Sequence, residues 1–314
     1  MEIYEKGKVW IPMRADPYVY KHTDGKYYFT GSMPKYDSIT LRCSDTLVGL
    51  KDANEKEIWH KHATGEMGAH IWAPEIHYIK GCWYIYFAAG IAEDIWHIRP
   101  YVLKCEDKDP MTGNWVECGR LTCADDDEFS FRAFSLDVTV FENKGDLYCV
   151  WAEKVGVGKQ ISNLYIARME SPVKLSTVQV LLTTPDYEWE RGEFWVDEGP
   201  FALHHDGKIY LTFSASDTGI SYCVGMLEIS EDDDLLDPAN WKKKRYPVVK
   251  TNESLQVYGP GHSCFTEDEK GNTVFVFHAR KETEIKGDPL YVANRHAMLL
   301  DITFGENGEP QFNI

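Results

Sequence analysis

Val196-Asp197-Glu198-Gly199-Pro200-Phe201 leads through His204-His205-Asp206-Gly207-Lys208 into Ile209-Tyr210-Leu211-Thr212-Phe213. An acidic residue in a Gly-Pro approach is followed by an apolar stub, a tight Asp-Gly turn and a strand of alternating apolar side chains. Asp-Gly between two such runs is a hairpin signal, because glycine accepts the positive φ that the turn demands. The phrase recurs around Asp24-Gly25-Lys26, Lys80-Gly81-Cys82, Lys144-Gly145-Asp146 and Lys270-Gly271-Asn272. The five turn glycines, at 25, 81, 145, 207 and 271, are spaced by about 60 residues, the signature of a repeat architecture.

Each repeat reads as a set of short strands. The third strand has its copies at 39–43, 101–105, 164–168, 222–227 and 296–300, all alternating and bounded by Gly, Asp or Pro. No segment sustains a 3.6-residue period over three turns, which argues against a TIM barrel and its eight helices. A β-sandwich would not space one phrase evenly. Four antiparallel strands repeated radially make a propeller blade. The expected fold is therefore all-β, a five-bladed β-propeller in a single domain over residues 1–314, with no low-complexity linker dividing it.

The formal charge of −17 disfavours nucleic acid and anionic membrane as partners, since both require a cationic surface. Aromatic residues make up 13% of the chain, which suits stacking on a flat ligand face, although aromatics are also good strand formers. The eight Cys form no CxxC pair and no zinc spacing. The start, Met1-Glu2-Ile3-Tyr4-Glu5-Lys6, has neither a basic head nor an apolar core, and no run reaches the length of a membrane helix. These features predict a cytoplasmic protein with reduced thiols. The runs Asp125-Asp126-Asp127-Glu128 and Lys242-Lys243-Lys244-Arg245 read as solvated loops, the first lacking the ligand pattern of an EF-hand. Gly156-Val157-Gly158 lacks a third glycine and reads as a loop.

Function follows from a column. Counting back nine residues from each turn glycine, eight in the third copy, lands on Asp16, Trp72, Asp137, Glu198 and His262. In a propeller the first strand of each blade lies beside the axis, so these five side chains should face one mouth of the central channel. Each has an ordinary explanation alone: turn chemistry for Asp16, core for Trp72, a structural histidine for His262. Three convergent carboxylates repel one another, and such an arrangement usually marks a site. Paired carboxylates perform glycoside hydrolysis, one protonated to assist the leaving oxygen and one ionised to activate water. A third raises the pKa of the acid by like-charge repulsion. Trp72 offers a platform for a sugar face, and Asn163, Arg280 and Arg295 are candidate hydroxyl-binding residues. The stretch from Ala92 to Tyr101, with Trp96 and His97, reads as an insertion walling off the channel. No P-loop, GxSxG, HExxH or GxGxxG is present.

Arg14-Ala15-Asp16-Pro17, His70-Ile71-Trp72-Ala73-Pro74-Glu75-Ile76-His77, Ser135-Leu136-Asp137, Glu198-Gly199-Pro200 and Gly259-Pro260-Gly261-His262-Ser263 resemble, in order, the signature blocks of glycoside hydrolase family 43. The resemblance is greatest to its single-domain, exo-acting α-L-arabinofuranosidases. It implies an inverting hydrolase acting on arabinan- or arabinoxylan-derived oligosaccharides, with Asp16 as general base and Glu198 as general acid. Asp137 would orient that acid and tune its pKa. An inverting pair stands about 6.5–9.5 Å apart, leaving room for the water. The resemblance requires no cofactor for the chemistry, and it makes His262 the residue that would hold a water-coordinated calcium or similar ion. β-D-xylosidase and endo-α-1,5-arabinanase share the same carboxylates and are the nearest alternatives. A non-catalytic carbohydrate-binding propeller is the alternative of another class.

Overall fold

Five four-stranded antiparallel units arranged in a ring account for the chain, which a computed structural model describes over residues 4–156 and 160–314. Val157 and Gly158 of the Gly156-Val157-Gly158 loop lie outside the described residues. Blade one comprises Ala15–Lys21, Tyr27–Ser32, Ser38–Ser44 and Lys56–His60. Blade two comprises Ala69–Ile79, Cys82–Ile91, Asp94–Cys105 and Val116–Arg120. Blade three runs Ser135–Asn143, Asp146–Val155, Ile161–Ser171 and Val180–Thr183. Blade four runs Trp195–His205, Lys208–Ala215, Cys223–Ser230 and Lys242–Lys243. The innermost strands touch their neighbours all the way round, so the ring is closed.

Blade five departs from the sequence expectation. Its strands Tyr258–Glu267, Thr273–Arg280 and His296–Phe304 are completed by Val9–Ile11, from the other end of the chain, paired antiparallel to His296–Phe304. A three-residue strand carries too little periodicity to be read from sequence; its place is set by the open edge it covers. The apolar core lies between blades, around large side chains such as Trp83 and Trp151, both fully buried. Truncating a buried tryptophan of this kind costs about 3–5 kcal/mol.

The five turns have the expected positive-φ glycines, with φ of 71–87°, and a Cβ at any of them would meet nothing within 4 Å. Backbone conformation alone therefore requires glycine there. The turns are of two kinds. Blades two, three and four use two-residue loops, closing on the pairs Ile79↔Cys82, Asn143↔Asp146 and His205↔Lys208. Blades one and five use three-residue loops, closed by His22 and Lys26 and by Asp268 and Asn272.

This difference corrects the column. Every innermost strand has a register shift, between Ala15 and Tyr18, Trp72 and Glu75, Leu136 and Thr139, Glu198 and Phe201, and Gly261 and Cys264. The left-handed residues at these bulges are Asp16, Ala73, Asp137, Gly199 and His262. They form the true structural column. Counting from the glycine overshoots by one in blades two and four, because it ignores the shorter turn. Trp72 and Glu198 occupy the preceding bulge position.

Two charge runs are less solvated than expected. Asp127 is buried, accepting from the backbone N–H groups of Phe129 and Ser130. Lys243 pairs with the fully buried Glu190 and lies 3.5 Å from the equally buried Asp197. The 92–101 stretch is not a loop insertion but a hairpin extension, with Ile91 paired to Asp94.

Candidate active site

A β-bulge sets two adjacent residues against one partner and re-aims their side chains. In each blade the bulge lies where the innermost strand reaches the mouth of the channel. The bulges of blades one, three and five send in Asp16, Asp137 and His262 from the left-handed position; those of blades two and four send in Trp72 and Glu198 from the position before it. All five line one cavity of about 290 Å³. In blade four the left-handed position is Gly199, φ +55°, whose absent side chain leaves room for the His262 ring, 3.1 Å from where a Cβ would stand. Its N–H donates to Asp137 Oδ2 at 3.0 Å, so the strand that carries Glu198 also holds Asp137.

The three carboxylates have different surroundings. Asp16 is buried, which opposes its charge, but chiefly His262 and Arg295, with a hydrogen bond from the Ser32 hydroxyl, bring its pKa down to about 2. Its Oδ1 lies 3.4 Å from His262 Nδ1 and 3.6 Å from an Arg295 guanidinium nitrogen. Glu198 and Asp137 are both shifted upwards. Burial is the main cause for each; repulsion from Asp16 adds to it for both, and Glu198 adds further to Asp137. The Tyr222 hydroxyl donates to Glu198 Oε1 at 2.7 Å and partly offsets the shift. Asp137 and Glu198 thus titrate as a pair that retains a proton where an isolated carboxylate would have lost it. Asp137 accepts the Gly199 N–H and lies 3.8 Å from His262 Nδ1, contacts that favour its ionised form as the Tyr222 hydroxyl favours that of Glu198.

His262 has its pKa raised: burial alone would lower it, and the three acids outweigh that. The site then balances, with Asp16 and one charge on the carboxylate pair facing cationic His262 and Arg295, as buried charges must. His278 is different despite standing 3.5 Å from Asp16 Oδ1. Its Nδ1 accepts the backbone N–H of Asp16 at 3.0 Å, and burial and Arg295 push its pKa well below the usual histidine range. It is a neutral ring that fixes the backbone of Asp16 and stacks on Tyr222, with centroids 5.6 Å apart.

Of the candidate sugar contacts, Trp72 and Arg295 line the cavity. Arg295 also donates to the Tyr36 hydroxyl at 2.6 Å. Asn163 and Arg280 are placed elsewhere. Asn163 donates to the Tyr165 hydroxyl within blade three, and the neighbouring Ser162 reaches the cavity instead. Strand alternation is the reason, since adjacent residues face opposite sides. Arg280 is buried and ties the carbonyls of Thr218, Pro289 and Val292 together behind the wall. Trp96 lines the cavity, while His97 lies beside Asp94. Ser32, Tyr36, Tyr222 and His278 were not legible in the sequence: they sit in second and third strands or their connections, where only packing brings them to the bulges.

An ion near His262 would have to be held through water. Among the described residues no group of three His, Cys, Asp or Glu side chains converges as a ligand set, and His262 turns Nδ1 to two carboxylates. The imidazole acts here as their cationic partner.

Comparison with known proteins places this geometry. The family model described as glycosyl hydrolases family 43 matches residues 9–310. An extracellular exo-α-(1→5)-L-arabinofuranosidase of Streptomyces avermitilis is 45% identical over 302 residues, covering 96% of this chain and 62% of that protein. The chain therefore spans less than two thirds of that relative. A Streptomyces chartreusis protein of the same name is 47% identical over 280 residues, covering 89% of this chain and 84% of its own. A crystal structure of an α-L-arabinofuranosidase from Lactobacillus brevis superposes with a TM-score of 0.92 at 44% identity, covering 99% of this chain and 98% of that one. The cytoplasmic expectation is overturned, because both Streptomyces relatives are named extracellular. It rested on the first residues and on unpaired thiols, and neither is a physical record of compartment in a fold that needs no disulfide.

Proposed function

The chain belongs to glycosyl hydrolase family 43, and on that premise we propose that it is an exo-acting α-L-arabinofuranosidase working by inversion on arabinose-containing oligosaccharides outside the cell. One observation carries the reading. Within a single cavity one buried carboxylate, Asp16, is held ionised, while two others, Glu198 and Asp137, are pushed towards the protonated form. Carboxylates driven apart in pKa are what acid–base hydrolysis of a glycoside needs.

In this reading Asp16, fixed by Ser32, His278 and Arg295, takes a proton from the attacking water. Glu198 gives its proton to the glycosidic oxygen. Asp137, oriented by the Gly199 N–H, is coupled to Glu198 as the second member of the pair that retains a proton. The arabinofuranosyl specificity, the α-1,5 linkage and the exo mode come from the names of the Streptomyces relatives. A cavity at the small end of ligand pockets, partly walled by Trp96 on its hairpin and by Leu290, supports exo action, since it suits a chain end better than a chain passing through.

Product analysis tests the reading. Incubation with α-1,5-arabinotriose should release single arabinose units, and NMR should show the β-anomer first. Initial α-anomer would exclude inversion. Release of longer oligomers from linear arabinan would indicate endo-arabinanase, and cleavage of aryl β-D-xyloside alone would indicate xylosidase.

A further inference from the structure

Lys154 forms no ion pair within 4.0 Å with the carboxylates, yet it lines the same cavity. It lies near the end of the Asp146–Val155 strand, half-buried, with Nζ 4.0 Å from the centre of the Phe134 ring. Burial lowers its pKa, and Glu198 is the charge that opposes this. Neither Asp16 nor Asp137 acts on it in the same way. Lys154 stands where the carboxylate cavity meets a neighbouring one that none of the three acids lines. An ammonium has three donors, and a ring face satisfies none of them fully.

A second cavity of about 360 Å³ adjoins the first, and Trp96, Phe134 and Lys154 line both. Trp96 is 50% exposed, so core packing does not account for it. Its ring reaches the mouth on the extended hairpin of blade two. An exposed aromatic face and an open cationic donor flanking a cavity are the usual means of holding a neutral sugar, the ring stacking on its face and the donor reaching its oxygens.

Resting on the arabinofuranosidase reading above, we propose that the leaving-group sugar occupies this adjoining cavity, stacked on Trp96, with the Lys154 ammonium donating to an oxygen beside the scissile bond. Water attacks the anomeric carbon and loses a proton to Asp16. The bond to the glycosidic oxygen breaks, and that oxygen takes the proton of Glu198, so the aglycone departs as an alcohol. Glu198 is left as a carboxylate facing the charge of Lys154, which stabilises the acid as it gives up its proton.

The test compares two leaving groups. Lys154→Met, which keeps the stem on Phe134, should lower kcat/KM on α-1,5-arabinobiose by about 10- to 100-fold, the factor for a charge-assisted hydrogen bond. On 2,4-dinitrophenyl α-L-arabinofuranoside, which needs no protonation to depart, the loss should be under about 5-fold, for the same reason. Lys154→Arg should recover much of the arabinobiose activity. Trp96→Ala should raise KM for arabinobiose more than it lowers kcat. An equal or larger loss on the dinitrophenyl substrate, or no loss on either, overturns the proposal. Failure of the unmodified enzyme on both arabinofuranosides would sink the functional reading instead, and the matching pair of xylosides then carries the comparison.

Discussion

Asp16 is buried and Glu198 half-buried in one cavity, and what distinguishes them is the company they keep. Asp16 has His262 and Arg295 within 3.6 Å, whereas Glu198 has a tyrosine hydroxyl, the repulsion of Asp16 and only the weaker pull of His262 and Lys154. Asp16→Asn and Glu198→Gln should each lower kcat on arabino-oligosaccharides by about 10²–10⁴-fold, the usual worth of general acid–base catalysis, with circular dichroism unchanged. Tyr222→Phe removes a bond that favours the Glu198 carboxylate, so the pKa of the acid should rise. The alkaline limb of the kcat/KM profile should then move to higher pH, and a shift to lower pH would contradict the geometry. Stability carries the same signature. The depressed pKa of Asp16 gives stability present above the ordinary aspartate value and lost as pH falls towards about 2. The raised pKa values of Glu198, Asp137 and His262 give stability present in acid and lost as pH rises through them. In calorimetry, Glu198→Gln should lose less Tm than the unmodified protein as pH rises above the ordinary glutamate value.

At the scale of the element, the bulge is the device that makes a site from a repeat. Each innermost strand needs one left-handed residue, and Asp16, Asp137 and His262 accept a conformation that side chains rarely adopt. The two glycines of blade four separate the causes of such strain. Gly207→Ala, φ +71° with open space around it, should cost about 1 kcal/mol from conformation alone. Gly199→Ala meets a similar conformational penalty and also presses a Cβ against the His262 ring. It should lower Tm further than Gly207→Ala and depress kcat, because Asp137 and His262 move with it. Equal effects of the two substitutions would mean that His262 yields freely.

For the molecule as a whole, closure depends on Val9–Ile11. Ile11 is fully buried, Trp10 nearly so, and the strand supplies the outer edge of the last blade. Removing residues 1–11 exposes that edge and the core beneath it. The truncated protein should lose its cooperative thermal transition or aggregate, and an unchanged Tm would show that the ring holds without this strand.

The sequence by itself determined the count and the chemistry. Turn glycines are local demands of φ, so five of them announced five hairpins, and the acids before three of them announced hydrolysis. Asp16, Asp137, Trp72, Glu198, His262 and Arg295 were all legible before their cavity was. What only the tertiary structure decided was register and company. Turn length shifts the bulge by one residue, and no local pattern records it until the pairing is formed; Glu198 and Trp72 reach the cavity as expected but stand one residue before the left-handed position for this reason. Asn163 and Arg280 had suitable chemistry but faced elsewhere, because which side of a strand meets the cavity is fixed by packing. Ser32, Tyr222 and His278 reach the carboxylates across strands or between blades. A pKa set by such neighbours exists only once the chain has closed around them.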